Sequence, residues 1–277
     1  MRIDAHQHFW RYKRAEYGWI DDSMDVLRRD FRPTDLKPQL DDLGFDACVA
    51  VQARQTPAET TWLLQLADTF PFIAGVVGWV DLQSPDIERE LEVLSAHPKL
   101  VGVRHIVQSE PDDFLLRPDF LRGIALLRRF DLPYDILIYP RHLKTARDFV
   151  VRFPDQRFVL DHMAKPEIRT GAIDEWRTDL KNLARLPNIY CKLSGLMTEA
   201  DWRGWTEDEL RPYLDVAFEC FGADRLMIGS DWPVCTLAAP YDMTMTAYLD
   251  YLIRCSDAER AAVLGGTAER FYLERRP

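Results

Sequence analysis

The chain carries two motifs near its ends, Ile3-Asp4-Ala5-His6-Gln7-His8 and Leu226-Met227-Ile228-Gly229-Ser230-Asp231-Trp232-Pro233. In each motif an apolar, strand-like run ends in polar side chains. Residues two apart in a strand project from the same face, and a chain that closes into a barrel brings its last strand beside its first. This pattern predicts that His6, His8 and Asp231 lie in one pocket.

Apolar, β-rich runs recur between these motifs and predict eight strands in all. They are Arg2 to Ala5, Ala47 to Val51, Phe72 to Val80, Leu100 to Ile106, Tyr134 to Ile138, Phe158 to Leu160, Ile189 to Leu193 and Leu226 to Ile228. The runs are continuously apolar, as in parallel strands covered by helices, and helical patterns separate them. Eight such units with right-handed crossovers make a (β/α)8 TIM barrel.

A doubly wound open sheet is the alternative fold, but no GxGxxG or phosphate-binding loop follows any strand. We therefore predict the α/β class, with a single (β/α)8 barrel domain over residues 1–277. The aromatic and charged segment at about residues 9–32 is expected to be an extended loop over the barrel mouth.

The composition favours a soluble, cytoplasmic protein that acts on small molecules. The formal net charge is −10, from 45 acidic and 35 basic side chains, which argues against nucleic acid or an anionic membrane as a partner. No apolar run approaches the ~20 residues that cross a bilayer, and the N-terminus lacks the apolar core of a signal peptide. Five widely spaced cysteines without a CxxC pair argue against a disulfide framework or a zinc ribbon. The sequence leaves the oligomeric state open.

Polar residues at the carboxyl ends of the strands face the active site of such a barrel. His162 follows the sixth run, and with His6, His8 and Asp231 it offers imidazole nitrogens and a carboxylate, the ligand types of catalytic zinc. Without metal, the same group supports acid–base chemistry, in which Asp231 is the base for a water molecule. The residues alone do not separate these two cases.

Cations near strand ends are candidates to stabilise an oxyanion or to hold a substrate oxygen. They are Arg54, Lys165 and either Arg104 or His105, since these last two alternate faces and only one of them points inward. Lys192 and Ser194 end the seventh run and are expected to contact substrate hydroxyls.

Aromatic side chains near strand ends offer flat faces on which a sugar ring can pack. In chain order they are Trp10, Trp79, Tyr139 and Trp232.

The sequence resembles the amidohydrolase superfamily, whose HxH on the first strand and Asp on the eighth correspond to His6, His8 and Asp231. Five stretches in the same order resemble the sugar lactonase branch of that superfamily, and nearly the whole chain is covered. Within this branch it looks closest to the L-fuconolactone hydrolases. The stretches are Ala5-His6-Gln7-His8-Phe9-Trp10, Val77-Gly78-Trp79, Leu160-Asp161-His162-Met163-Ala164-Lys165-Pro166, Lys192-Leu193-Ser194-Gly195-Leu196 with Thr198-Glu199-Ala200-Asp201-Trp202, and Gly229-Ser230-Asp231-Trp232-Pro233.

Many relatives in the superfamily hold two metals, with a carboxylated lysine and with histidines on both the fifth and the sixth strands. Here the fifth run ends Ile138-Tyr139-Pro140, without lysine or histidine at its tip. The resemblance therefore implies at most one divalent metal, zinc, held by His6, His8, His162 and Asp231. It also implies that this metal is not required for activity.

The resemblance implies a carboxylic ester hydrolase of carbohydrate catabolism, which opens L-fuconolactone or a similar lactone to the aldonic acid. We hypothesise that Asp231, helped by His162 and the other histidines, deprotonates water, while His105 or Arg54 stabilises the oxyanion. Two alternatives stay open: a metal-dependent, non-oxidative decarboxylase of an aromatic acid, and a barrel that only binds a ligand. The sequence does not identify the sugar or the ring size.

Overall fold

Eight strands form the centre of the molecule in a computed structural model that describes residues 1–274. In chain order they are β1 (Ile3–Gln7), β2 (Ala47–Val51), β3 (Ile73–Gly78), β4 (Leu100–Ile106), β5 (Tyr134–Leu137), β6 (Phe158–Leu160), β7 (Ile189–Leu193) and β8 (Leu226–Ile228). Seven of the eight predicted runs contain the corresponding strand in full. The main difference is at β1, which extends through His6 and Gln7 because Gln7 pairs with Ala50 of β2 and with Trp232 just after β8.

The strands are parallel and follow chain order around the sheet, β1-β2-β3-β4-β5-β6-β7-β8. The sheet closes just after β8, where the Asp231 amide donates to the His6 carbonyl at 2.8 Å and the His8 amide donates to the Trp232 carbonyl at 2.6 Å. These bonds confirm the predicted barrel. They also mean that the closing seam of the barrel is built from the two motifs that carry the predicted site.

Helices pack around the barrel because the strands are buried and each crossover must cover them. They are α1 (Pro33–Asp42), α2 (Pro57–Thr69), α3 (Ile87–Ser95), α4 (Pro118–Leu127), α5 (Leu143–Val151), α6 (Asp174–Ala184), α7 (Glu207–Phe221), α8 (Tyr241–Leu252) and α9 (Asp257–Ala261). The start of α7 is fixed by a capping box between Thr206 and Glu209. Within residues 1–274, no helix combines the length and apolar character needed to cross a bilayer.

Two buried apolar clusters stabilise this arrangement. The larger one joins strands to helices and contains many aromatic rings, such as Phe120 and Phe149. The smaller one joins strand residues such as Val77 and Val159 to Phe271 in the C-terminal segment.

The segment between β1 and α1 is tied down at its ends by paired backbone bonds between Trp10 and Phe31, at 2.9 and 3.0 Å. It contains a short 3-10 helix, Asp22–Leu27. Its side chains Trp19 and Met24 reach the wall of the cavity described below. The loop thus contributes directly to the carboxyl end of the barrel.

Candidate active site

A cavity of about 620 Å³ lies at the carboxyl ends of the strands. His8, Arg104, His162 and Asp231 line it, each from the end of a different strand. This is the face on which barrels of this architecture carry their chemistry.

His6, His8 and Asp231 meet at one point, as the sequence predicts. His8 Nε2 lies 3.3 Å from His6 Nε2 and 3.2 Å from Asp231 Oδ1, and His6 Nε2 lies 3.7 Å from the same oxygen. Ligand atoms about 2.0–2.1 Å from a tetrahedral zinc ion stand about 3.3 Å from one another. The three atoms therefore have the spacing of a metal-ligand set.

The proton positions in this group are fixed by its neighbours. His8 Nδ1 lies 2.7 Å from the Val51 carbonyl oxygen, which only accepts, so this nitrogen carries the ring proton. His8 Nε2 then faces the Asp231 carboxylate with a lone pair unless it binds a second proton. The contact between these two acceptors thus requires a proton or a cation, and the donor set fits a divalent metal.

His162 approaches the same carboxylate, with its Nε2 3.9 Å from Asp231 Oδ1. Its Nδ1 lies 2.8 Å from Ser194 Oγ, which holds the ring in place. Burial lowers the pKa of His162 to about 4, so the imidazole is neutral at neutral pH. A neutral ring can accept a proton or bind a metal.

The backbone is strained where it presents these groups. Four successive residues, His162 to Lys165, have φ between 52° and 61°, a left-handed conformation that costs about 1–2 kcal/mol per non-glycine residue. Asp231 also has a positive φ, 57°. Gly195 packs against the turn, and a Cβ there would lie 2.8 Å from His162 Nδ1. Strain of this kind is concentrated at functional sites.

The Asp231 carboxyl is buried, and burial by itself raises its pKa. His162, His8 and His6 outweigh that effect and hold the pKa of Asp231 below its ordinary value. The side chain is therefore a carboxylate at neutral pH, which is the form that a general base requires.

A network of buried charged side chains surrounds the imidazole of His6. Lys192 Nζ donates to Asp135 Oδ2 at 2.6 Å, lies 3.0 Å from Asp161 Oδ1 and lies 3.2 Å from His6 Nδ1. Arg104 Nη1 donates to Asp161 Oδ2 at 2.9 Å and lies 3.2 Å from His6 Nε2. Asp161 Oδ1 in turn lies 3.4 Å from His6 Nδ1, so the imidazole of His6 sits between two cations and a carboxylate.

This network changes one expectation and bears on the choice of metal site. Lys192 was expected to contact substrate hydroxyls, but it is completely buried between the two aspartates. His6, Asp161 and His162 form a second group with metal-ligand spacing, but Arg104 and Lys192 already neutralise Asp161. The group around Asp231 is therefore the better candidate for a metal.

On β4, Arg104 lines the cavity and His105 points to the other side of the strand. The His105 ring stacks on Phe114 with 4.8 Å between ring centroids, and its Nδ1 accepts from Trp79 Nε1 at 3.2 Å. His105 Nε2 lies 3.3 Å from Glu110, which does line the cavity. His105 is thus not among the described residues that line the cavity, contrary to the placement expected of a catalytic residue, because strand alternation turns Arg104 inward instead.

Arg54 also lies away from the cavity. It forms an ion pair with Glu16 and stacks on Tyr17, with 5.2 Å from its guanidinium carbon to the ring centroid. It lines a separate surface depression with these two residues. The residue follows β2 as predicted, but the loop carries its side chain outward.

Among the other predicted substrate-binding residues, Tyr139 and Lys165 line the cavity. Trp10 and Trp232 do not appear among the lining residues within 1–274, because both are buried against the aromatic ring of Phe31. Their role in this structure is to pack the entry loop against the closing seam.

Several lining residues were not singled out as site residues from the sequence. They include Gln55, Gln108, Glu110, Thr198, Glu199 and Trp202. Thr198, Glu199 and Trp202 follow β7 in one of the motifs quoted above, so position after a strand was the available signal. The other three sit on loops whose direction depends on the fold.

A family model described as amidohydrolase matches residues 3–273. An L-fucono-1,5-lactonase from Burkholderia multivorans is 45% identical over 290 residues, which cover 100% of this chain and 97% of that protein. An L-fucono-1,5-lactonase from Burkholderia ambifaria is 41% identical over 285 residues, again covering 100% and 97%. A crystal structure of an amidohydrolase from Burkholderia multivorans with bound zinc has a TM-score of 0.94 and 45% identity, covering 98% of this chain and 99% of that one. These findings confirm the resemblance read from the motifs, and the chain belongs to the amidohydrolase family.

Proposed function

We propose that this protein hydrolyses a sugar lactone, L-fuconolactone or one similar to it, to the aldonic acid. The observation that carries the proposal is the Asp231 carboxylate beside three imidazoles at the cavity formed by the carboxyl ends of the strands. The two Burkholderia lactonases match this chain over its full length and support the same reaction. They do not favour the decarboxylase or the barrel that only binds.

In the proposed reaction Asp231 takes a proton from water, which attacks the lactone carbonyl carbon. His8 and His162 orient that water and the carboxylate, because both rings are held by hydrogen bonds on their far nitrogens. The proton then passes to the ring oxygen as the carbon–oxygen bond breaks. No covalent nucleophile is needed.

Arg104 is the cation that we assign to the developing oxyanion, in place of His105 or Arg54. It lines the cavity and contacts His6, while its guanidinium is held in place by Asp161 and the Gln52 carbonyl. A preorganised cation in a dry site stabilises transition-state charge more than a mobile one in water.

His6, His8 and Asp231, with His162 nearby, are the residues that would hold a zinc ion. When bound, zinc supplies Lewis acidity toward the lactone carbonyl. We propose, as the resemblance implies, that activity does not depend on it, because Asp231 and the imidazoles can move the proton of the attacking water without an ion. We also keep a cytoplasmic location and a small-molecule substrate, without nucleic acid or membrane as partner.

The test is acid release from a panel of aldonolactones, followed with a pH indicator, before and after exhaustive chelation. Asp231→Asn should lower kcat by about 10²- to 10⁴-fold, the usual contribution of a general base. Asp208→Asn, which removes the same charge from an exposed position on α7, should leave kcat unchanged. A folded Asp231→Asn enzyme with full turnover would falsify the mechanism. Acid release that chelation abolishes and only metal restores would contradict the inference that the reaction does not depend on metal.

A further inference from the structure

Lys165 and Glu199 form an ion pair in the wall of the cavity, separate from the Asp231 group. Lys165 Nζ lies 3.5 Å from Glu199 Oε1, and the side chains are only 17% and 22% exposed. Both residues line the same cavity as Asp231. The mechanism above gives neither of them a role.

The hydrogen-bonding capacity of this pair is mostly unused. Within residues 1–274, the two side chains make no other ion pair or hydrogen bond. A lysine ammonium has several donors and a carboxylate has several acceptor positions, and their separation of 3.5 Å exceeds a normal hydrogen bond. Buried charges normally have their bonds satisfied, so spare capacity facing a cavity indicates a polar ligand.

Lys165 and Glu199 are both held at the cavity wall by tight backbone turns. Lys165 is the last residue of the left-handed turn that begins at His162, with φ of 53°. Glu199 ends a 3-10 turn, Met197–Glu199, that follows β7. Elsewhere in the lining of the same cavity, the buried Gln108 Oε1 has no hydrogen-bond partner within the described residues. The cavity thus offers donor and acceptor positions beyond those that Lys165 and Glu199 direct at each other.

We propose that Lys165 and Glu199 bind neighbouring hydroxyl groups of the lactone ring and thereby select hydroxylated lactones over unsubstituted ones. This inference rests on the proposed function and adds the feature of the substrate that the enzyme recognises. Glu199 accepts from the hydroxyl hydrogens, and Lys165 donates to a hydroxyl oxygen. An unsubstituted ring would bury both charges without these bonds, and sites of this kind reject such analogues.

The experiment compares a hydroxylated aldonolactone with δ-valerolactone, the unsubstituted six-membered lactone. Glu199→Gln and Lys165→Met are each measured by kcat/KM, or by Ki where δ-valerolactone binds without turning over. A lost hydrogen bond to a charged group corresponds to about 10- to 100-fold. We expect that loss for the aldonolactone and less than about threefold for δ-valerolactone, so the preference shrinks.

Glu207→Gln on α7 and Lys181→Met on α6 are matched controls on exposed helix faces and should change neither value. Equal losses for both lactones, with a shifted pH profile, would assign the pair to proton transfer and overturn its role in recognition. An unchanged preference in both variants would overturn it as well. If Glu199→Gln does not fold, Lys165→Met decides alone. Wild-type protein that turns over neither lactone would instead refute the proposed function.

Discussion

Lys192 offers the sharpest test of how the buried network holds the site. Its ammonium is completely buried and lies 2.6 Å from Asp135 and 3.0 Å from Asp161. Replacing it with methionine, which has a similar length, leaves two buried carboxylates with one fewer cation. Removal of one partner from a buried ion pair costs about 3–5 kcal/mol.

The structure allows this value to be checked by a second substitution. Burial already raises the pKa of Asp135 to about 6, and its remaining partner is the Tyr272 hydroxyl at 2.7 Å. Asp135→Asn removes the carboxylate that the lost ammonium no longer balances, while Arg104 still pairs with Asp161. The double variant Lys192→Met/Asp135→Asn should therefore be less destabilised than the sum of the single variants, by about 2 kcal/mol.

The assay is urea unfolding at pH 7.5 in the presence of a chelator, followed by circular dichroism, with equal m-values as the check on two-state behaviour. Lactonase activity of Lys192→Met should fall as well, because Lys192 also contacts His6. Losses of stability that add to within about 0.5 kcal/mol would refute the claim that these charges act as one unit.

Two further predictions concern metal binding and pH. Arg104→Met should raise the affinity for zinc at least about tenfold, because the Arg104 guanidinium lies 3.2 Å from His6 Nε2, competes for its lone pair and repels a cation. Titration against a chromophoric chelator measures the zinc affinity. An unchanged or weaker affinity would contradict the prediction. Burial raises the pKa of Asp4 from 3.8 to about 6, so its contribution to stability is present below pH 3.8 and is lost as pH rises through 6. As the pH rises from 4 to 7, the unfolding free energy of Asp4→Asn should therefore increase by about 3 kcal/mol relative to that of wild type. Parallel pH curves of unfolding free energy would show that Asp4 does not titrate in this way.

The part of the site that the sequence predicts depends on strand periodicity and barrel closure alone. His6 and His8 are two residues apart, and Asp231 follows the last strand, so their convergence requires only that the sheet closes. The alternation of Arg104 and His105 predicts that one of them faces inward. Which one does so depends on the register of β4 against β5, and that register is a property of the folded sheet.

Residues on loops could not be placed in this way. Arg54 and Lys165 both follow strands, but the first turns outward to Glu16 and the second turns into the cavity. The difference at Lys165 comes from a left-handed turn of non-glycine residues, which local sequence preferences disfavour. Such a turn persists because tertiary contacts impose it, so a reading of the sequence by propensity cannot find it.

The buried network, in contrast, has a sequence signal, which becomes visible only when the strands are compared with one another. Each of four consecutive strand regions carries one charged residue in or directly after an apolar run: Arg104, Asp135, Asp161 and Lys192. Burying a single charge in a strand costs too much desolvation free energy unless a partner of opposite sign lies beside it. The presence of two cations and two anions on neighbouring strands of a barrel therefore predicts that these charges contact one another. It also predicts the completely buried position of Lys192.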